Sequence, residues 1–180
     1  VFRVWRGEHQ LEPQDWKREK SRQLFQLLVA NVGKWVHRDQ ITNILWGDSQ
    51  VENAANYLKV VLSTLNQIIE PDRPKGEPAF FVERRQDGYR INPQARVVVD
   101  ADLFLGYVEK GTPYALEKAL KLYQGRYFED SPIQEWLTVE EHYYHQHFLL
   151  AADKLTAHYL HIKAYQEALK ISQQVLGTDR

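Results

Sequence analysis

The stretch Val51–Glu70, VENAANYLKVVLSTLNQIIE, constrains this chain most. Leu58, Leu62, Leu65 and Ile69 follow one another at 4-3-4 spacing, which draws a single apolar stripe along a helix over about 52–69. The residues opposite the stripe are small and polar. Ten residues on comes Phe80–Ile91, FFVERRQDGYRI, in which Asp87-Gly88 is a strong hairpin-turn signal. Arg84 and Arg85 stand just before that turn. A helix that can lie in a DNA groove, beside a basic hairpin that can reach the phosphates, is one way in which a duplex is read.

The preceding residues supply a frame for that pair. Val1–Trp5 alternates and reads as a strand, Arg6–His9 as a turn and Gln10–Glu12 as a return strand. Asp15 is expected to cap a first helix whose buried side carries Trp16, Leu24, Phe25, Leu27, Leu28 and Val32, and which ends at Asn31–Gly33. Trp35-Val36 is an extended link. A second helix follows over about Arg38–Trp46, with Ile41, Ile44 and Leu45 inward, and Gly47-Asp48-Ser49 breaks it. Glu70-Pro71-Asp72 stops the third helix, and Ala79–Glu83 and Tyr89–Ile91 form the hairpin arms.

The second half reads differently. Asp100 is the expected cap of a helix over Ala101–Lys110, and Gly111-Thr112-Pro113 separates it from another at about Tyr114–Tyr123. Gln134–His161 reads as one long helix or two, and Tyr165–Leu176 as a further one. The last segment has the Ala/Leu spacing of the first helix of a tetratricopeptide-type hairpin, without its partner. With no methionine even at position 1, this reads as a fragment of a longer protein.

Charge follows the same division. Residues 1–96 hold 15 Lys+Arg and 12 Asp+Glu, a balance of +3, whereas residues 97–180 hold 8 and 12, a balance of −4. A basic first half suits contact with nucleic acid, and an acidic second half does not. Zero cysteines exclude disulfides, thiolate catalysis and cysteine zinc sites, and suit a cytosolic setting. No apolar run approaches the roughly 20 residues needed to span a bilayer, and no signal peptide is present.

Gly33-Lys34 lacks the spacing of a phosphate loop, and no G-x-S-x-G elbow occurs. His142, His145 and His147 lie close together, and His158/His161 repeat the i, i+3 spacing, but no third ligand accompanies either pair in a metal pattern. The carboxylate pairs Asp100/Asp102, Glu129/Asp130 and Glu140/Glu141 read as helix caps or solvated faces. The aromatics of Tyr123–Asp130 and Ile133–Leu137 read as core packing between helices rather than a ligand cage. Neither an enzyme nor a cofactor is implied.

Several segments, in order, resemble one family. Lys17–Asp48 resembles the first two helices of regulators with an OmpR-type winged helix; Asn56–Pro71 resembles their recognition helix, and Gly88–Ile91 the return strand of the wing. Val99–Gly111, Ala119–Asp130 and Glu135–Leu160 resemble the bacterial transcriptional activator domain, the tetratricopeptide-like module that follows the winged helix in antibiotic regulatory proteins and in large multidomain STAND-type activators. The resemblance implies an α+β chain: a winged-helix DNA-binding domain over 1–96, then an all-α tetratricopeptide-like domain over 97–180.

It also implies residues. The groove-facing positions fall at Asn56, Lys59, Val60, Ser63, Thr64 and Gln67, with Val60 suited to a thymine methyl. Arg85 falls where relatives insert an arginine into the minor groove. Arg84 and Arg90 are phosphate candidates, as are Arg38 and the backbone at the start of the second helix, His37–Gln40. Gly47–Asn53 corresponds to the segment that contacts RNA polymerase. Relatives often carry arginines near the end of the recognition helix, where this chain has Thr64, Asn66 and Gln67, leaving Lys59 the only cation on the helix. Affinity for phosphates then depends on the wing and on dimerisation. The expected protein is a DNA-binding transcriptional activator of the cytoplasm, working as a homodimer or with regulatory domains beyond this chain. The competing expectation is a protein-interaction module whose winged helix no longer binds DNA.

Overall fold

The computed structural model describes residues 2–47, 51–131 and 133–178. They pack into two compact units, Phe2–Val97 with Ser131–Ile133, and Val98–Asp130 with the residues from Gln134 onward.

The first unit opens with a short hairpin, β1 (Trp5–Arg6) and β2 (His9–Gln10), turning at Gly7, which has φ of 61°. Phe2, Trp16 and Phe25 pack as an aromatic trio, with 5.7 Å between the Trp16 and Phe25 rings. The first helix does not begin at Asp15. Pro13–Trp16 forms one 3-10 turn, in which the Asp15 carboxylate accepts the Glu12 N–H at 2.8 Å. Lys17 then takes a φ of 53°, so the helix cannot run through it, and α1 spans Glu19–Ala30. Leu24, Leu27 and Leu28 are fully buried as their spacing predicts, whereas Val32 lies beyond the helix end and is 38% exposed.

Trp35-Val36 leads into a strand that periodicity could not announce. β3 (Val36–His37) is only two residues long and exists by pairing with a distant partner. α2 covers Arg38–Trp46 and buries Ile41 and Leu45, with Ile44 half-buried. α3 covers Val51–Ile69 and buries Ala54, Leu58, Val61, Leu62, Leu65 and Ile68. The stripe ends on Ile68 and not on the expected Ile69, which is half-buried, because 54-58-61-65-68 carries the 4-3-4-3 advance that keeps one face inward. The Ser21 hydroxyl, buried on α1, donates to the Val61 carbonyl at 3.2 Å and ties α1 to α3.

β4 (Val82–Arg85) and β5 (Gly88–Ile91) make the hairpin, with β5 at the centre of an antiparallel sheet of order β3-β5-β4. Gln86, at φ of 46°, accepts a left-handed conformation at the turn. Two residues from far along the chain complete this unit. The Ser131 hydroxyl donates to the side-chain oxygen of Gln26 at 2.8 Å, both groups being buried, and Ile133 is 1% exposed. A buried amide needs such a partner, since an unmet one costs roughly 1–3 kcal/mol.

The second unit is helical. α4 (Asp100–Lys110) starts from Val99 in cap position, one residue before the expected Asp100. It ends at Gly111, whose left-handed conformation closes the helix. The Thr112 hydroxyl accepts the Ala115 N–H at 3.3 Å and starts α5 (Pro113–Leu122). A 3-10 turn at Gln134–Leu137 precedes a single long helix, α6 (Thr138–His161), and α7 runs over Tyr165–Thr178. Phe104, Leu116, Ala119, Phe148, Ala151, Leu155 and Ile171 form the shared core, with Tyr123 stacked on Phe148 at 4.2 Å. Tyr127 packs on Tyr144 at 4.5 Å; burial and nearby carboxylates, Asp102 among them, raise both phenols, Tyr144 to about 12. Among the described residues no helix is long and apolar enough to cross a membrane.

Candidate nucleic-acid interface

α3 and the β4–β5 hairpin enclose a cleft of about 850 Å³. α3 offers Lys59, Ser63 and Asn66 to it, the hairpin offers Arg84, Arg85 and Arg90, and Trp35 lines it from the approach to β3. With Arg73 counted and Glu83 opposed, five cations face one carboxylate, a formal +4. A concave, strongly positive surface next to an exposed helix is suited to a polyanion.

Five of the expected residues, Lys59, Ser63, Arg84, Arg85 and Arg90, are thereby brought to one place. Asn56, Val60 and Gln67 are exposed on α3 and do not line the cleft; Val60 is 46% exposed. Thr64 is half-buried, and its hydroxyl donates to the Val60 carbonyl at 3.0 Å, so only its lone pairs remain for an outside donor.

The cations differ in availability. Arg84 and Arg85 are exposed at the end of β4 and, among the described residues, have no ion-pair partner; the same holds for Lys59. Arg90, also a phosphate candidate, has partners within the wing. It is the register partner of Glu83, and its Nε donates to that carboxylate at 2.7 Å. Its guanidinium also lies 4.3 Å from the Trp35 ring centroid, in cation–π range. Gly88 leaves room for that ring, since a Cβ there would meet Trp35 Cε3 at 3.3 Å.

Arg38 lies outside the cleft lining and is shared between Asp39 and Asp87, each at 3.4 Å. The first turn of α2 is likewise partly committed. The Arg38 N–H donates to the Asp87 carbonyl at 2.6 Å, and the Asp39 N–H to His37 Nδ1 at 3.2 Å. Of the Gly47–Asn53 segment, expected as a loop, residues 48–50 lie outside the described residues and Val51–Asn53 belong to α3.

Three further residues near the candidate interface carry no clear local signal, Trp35 and Asn66 in the cleft lining and Tyr57 outside it. Trp35 had no periodic signal, Asn66 sat beside the stripe, and Tyr57 stands 50% exposed on α3. The buried Oδ1 of Asn66 has no hydrogen-bond partner among the described residues, and arginines line the same cleft. The histidines of the second unit have local roles. His145 Nδ1 meets the Tyr123 hydroxyl at 3.1 Å, His147 Nδ1 meets the Tyr143 carbonyl at 2.8 Å, and His142 lies 3.8 Å from Glu141. Among the described residues no three His, Asp or Glu side chains are grouped to hold a metal ion.

Comparison with curated proteins and with solved structures finds no match to the chain. Residues 16–91 match the family model described as Transcriptional regulatory protein, C terminal, a DNA-binding regulatory domain and not an enzyme family, and this supports a DNA-binding transcription regulator with an OmpR-type winged helix in the first unit.

Proposed function

We propose that the chain is part of a transcriptional activator that binds duplex DNA through its first unit. α3 enters the major groove and presents Asn56, Lys59, Val60, Ser63, Thr64 and Gln67, while the hairpin carries Arg84 and Arg85 to the adjacent minor groove and backbone. One observation carries the reading. The exposed cations Lys59, Arg84 and Arg85 flank a +4 cleft beside a helix face kept clear of bulk other than Tyr57. Arg90 and Arg38 shape the wing and its contact with α2, and their pairing with Glu83, Asp39 and Asp87 offsets part of the charge they could offer a phosphate. The helical unit, read as a tetratricopeptide-like activator domain, supplies self-association or contact with regulatory domains, and Gly47–Asn53 meets RNA polymerase. Such a protein works in the cytoplasm.

An electrophoretic shift on promoter DNA at low salt, with and without Arg84→Ala/Arg85→Ala, tests this. Binding weakened by the double variant is the expected outcome; no binding at high protein concentration would sink the reading. A second reading, an interaction module without DNA, is favoured by the internal pairing of Arg38 and Arg90 and by the single cation on α3. It predicts that the variant changes nothing.

A further inference from the structure

Glu70 follows directly on α3, where the helix carbonyls make the local field negative. A carboxylate there is unfavourably placed unless specific donors hold it. Its side chain is 10% exposed, and its donors come from the root of the hairpin. Oε1 accepts the N–H of Phe80 at 3.0 Å and that of Phe81 at 2.9 Å, and Oε2 lies 3.2 Å from the Phe80 nitrogen. Arg73 Nε stands 3.5 Å from Oε2, while Arg73 Nη1 donates to the Glu77 carbonyl at 2.8 Å.

The same dipeptide is held from its other side. Asn92 Nδ2 donates to the Phe80 carbonyl at 2.8 Å, and the Asn92 N–H donates to the Phe81 carbonyl at 2.9 Å. Glu70 thus takes both N–H groups of Phe80-Phe81, and Asn92 satisfies both carbonyls. β4 begins at Val82, so the hairpin leaves from a fixed point. At the other end of the same helix turn, the Arg6 guanidinium donates to the Ile68 carbonyl at 2.5 Å and secures the last turn of α3.

We propose that Glu70 is a positioning residue for DNA binding. It fixes the span between the outer face of α3 and the wing arginines, so that Lys59, Arg84 and Arg85 meet one duplex without a reordering cost at binding. Its consequence for DNA rests on the DNA-binding reading; the clamp itself does not.

Two measurements test it. The chain has no cysteine, so Ala55→Cys and Gln86→Cys, both at exposed positions, take a pair of spin labels that report the α3-to-wing distance without DNA. The distribution is expected to be narrow in the otherwise unchanged chain and in Glu70→Gln, whose one carbonyl oxygen still reaches both N–H groups. It should be broad in Glu70→Ala. Should Glu70→Ala fail to fold, Glu70→Asp, one methylene too short for both donors, takes its place with the same expectation. An equally narrow distribution in a folded clamp variant overturns the proposal.

In the second measurement, Glu70→Ala lowers the salt slope of DNA binding by about two units, as loss of two phosphate contacts does. Added to Arg84→Ala/Arg85→Ala, it costs no further affinity, because the contacts it positions are already gone. A general structural role costs affinity in both backgrounds, and that result overturns the proposal. If the unmodified chain binds no DNA, the DNA reading falls and the distance measurement decides the clamp alone.

Discussion

Consider Arg84→Ala/Arg85→Ala titrated on a duplex across a range of salt. Three cations at the candidate interface, Lys59, Arg84 and Arg85, are exposed and have no ion-pair partner among the described residues. Two more, Arg38 and Arg90, are already paired with carboxylates. Each neutralised phosphate contributes about 0.9 to the slope of log K against log salt, so three contacts give a slope of about −2.7 per chain and one gives about −0.9. From about 50 to about 200 mM salt, the parent chain then loses about 40-fold in affinity and the variant only about 3.5-fold. Fluorescence anisotropy at four salt concentrations resolves that difference, and dimeric binding doubles both slopes. A slope near −4.5 in the parent would mean that Arg38 and Arg90 leave their carboxylates on binding. A slope that the double variant leaves unchanged would refute the reasoning, because the wing could then carry no part of the electrostatics.

Other outcomes follow from the interior. Leu65→Ala empties a site of 0% exposure at the centre of the α3 stripe; urea unfolding of the first unit should show a loss of about 2–5 kcal/mol, and a loss below about 1 kcal/mol would mean that the stripe is misplaced. Arg126 Nη1 donates at 2.8 Å to Glu141, whose side chain is 6% exposed. Arg126→Ala leaves that carboxylate buried and short of a close partner, at a cost of about 3 kcal/mol or more in the helical unit, whereas Glu141→Gln, which leaves only the partly exposed guanidinium charged, costs less. The Tyr159 hydroxyl donates to Glu117 at 2.5 Å, and that bond first, then burial, raises the phenol from 10.0 to about 12. Because the folded state holds the proton more tightly, this contribution is complete below pH 10 and is lost as pH rises through about 12. Thermal melts of Tyr159→Phe should decline less steeply than the parent over that interval.

Periodicity made the helices legible because a helix is a local object. The inward residues of α1 and α2, the length of α3 and a hairpin near Asp87-Gly88 follow from spacing within one segment, although the turn itself is Gln86-Asp87 and Gly88 opens β5. A boundary that depends on a single cap is less legible. Asp15 serves a 3-10 turn, and Lys17 at positive φ delays α1, because nothing in the residue types decides between two short hydrogen-bonded solutions. β3 escaped for a stronger reason: two residues carry no period, and the strand is created by β5, some fifty positions away. The stripe's last member moved from Ile69 to Ile68, since both satisfy local spacing and only packing chooses between them.

The candidate interface divides along the same line. Patterns a few residues long already indicate a helix with a mostly polar outer face, followed along the chain by a hairpin carrying Arg84 and Arg85. Which cations are free is a property of register and distance. Arg90 falls opposite Glu83 and over Trp35, and Arg38 falls beside Asp87, so tertiary pairing removes them from the available charge. The clamp at Phe80-Phe81 likewise joins Glu70 to Asn92 across a loop that no periodicity describes. Charges and hydrogen bonds act through space, and only the folded chain assigns their partners.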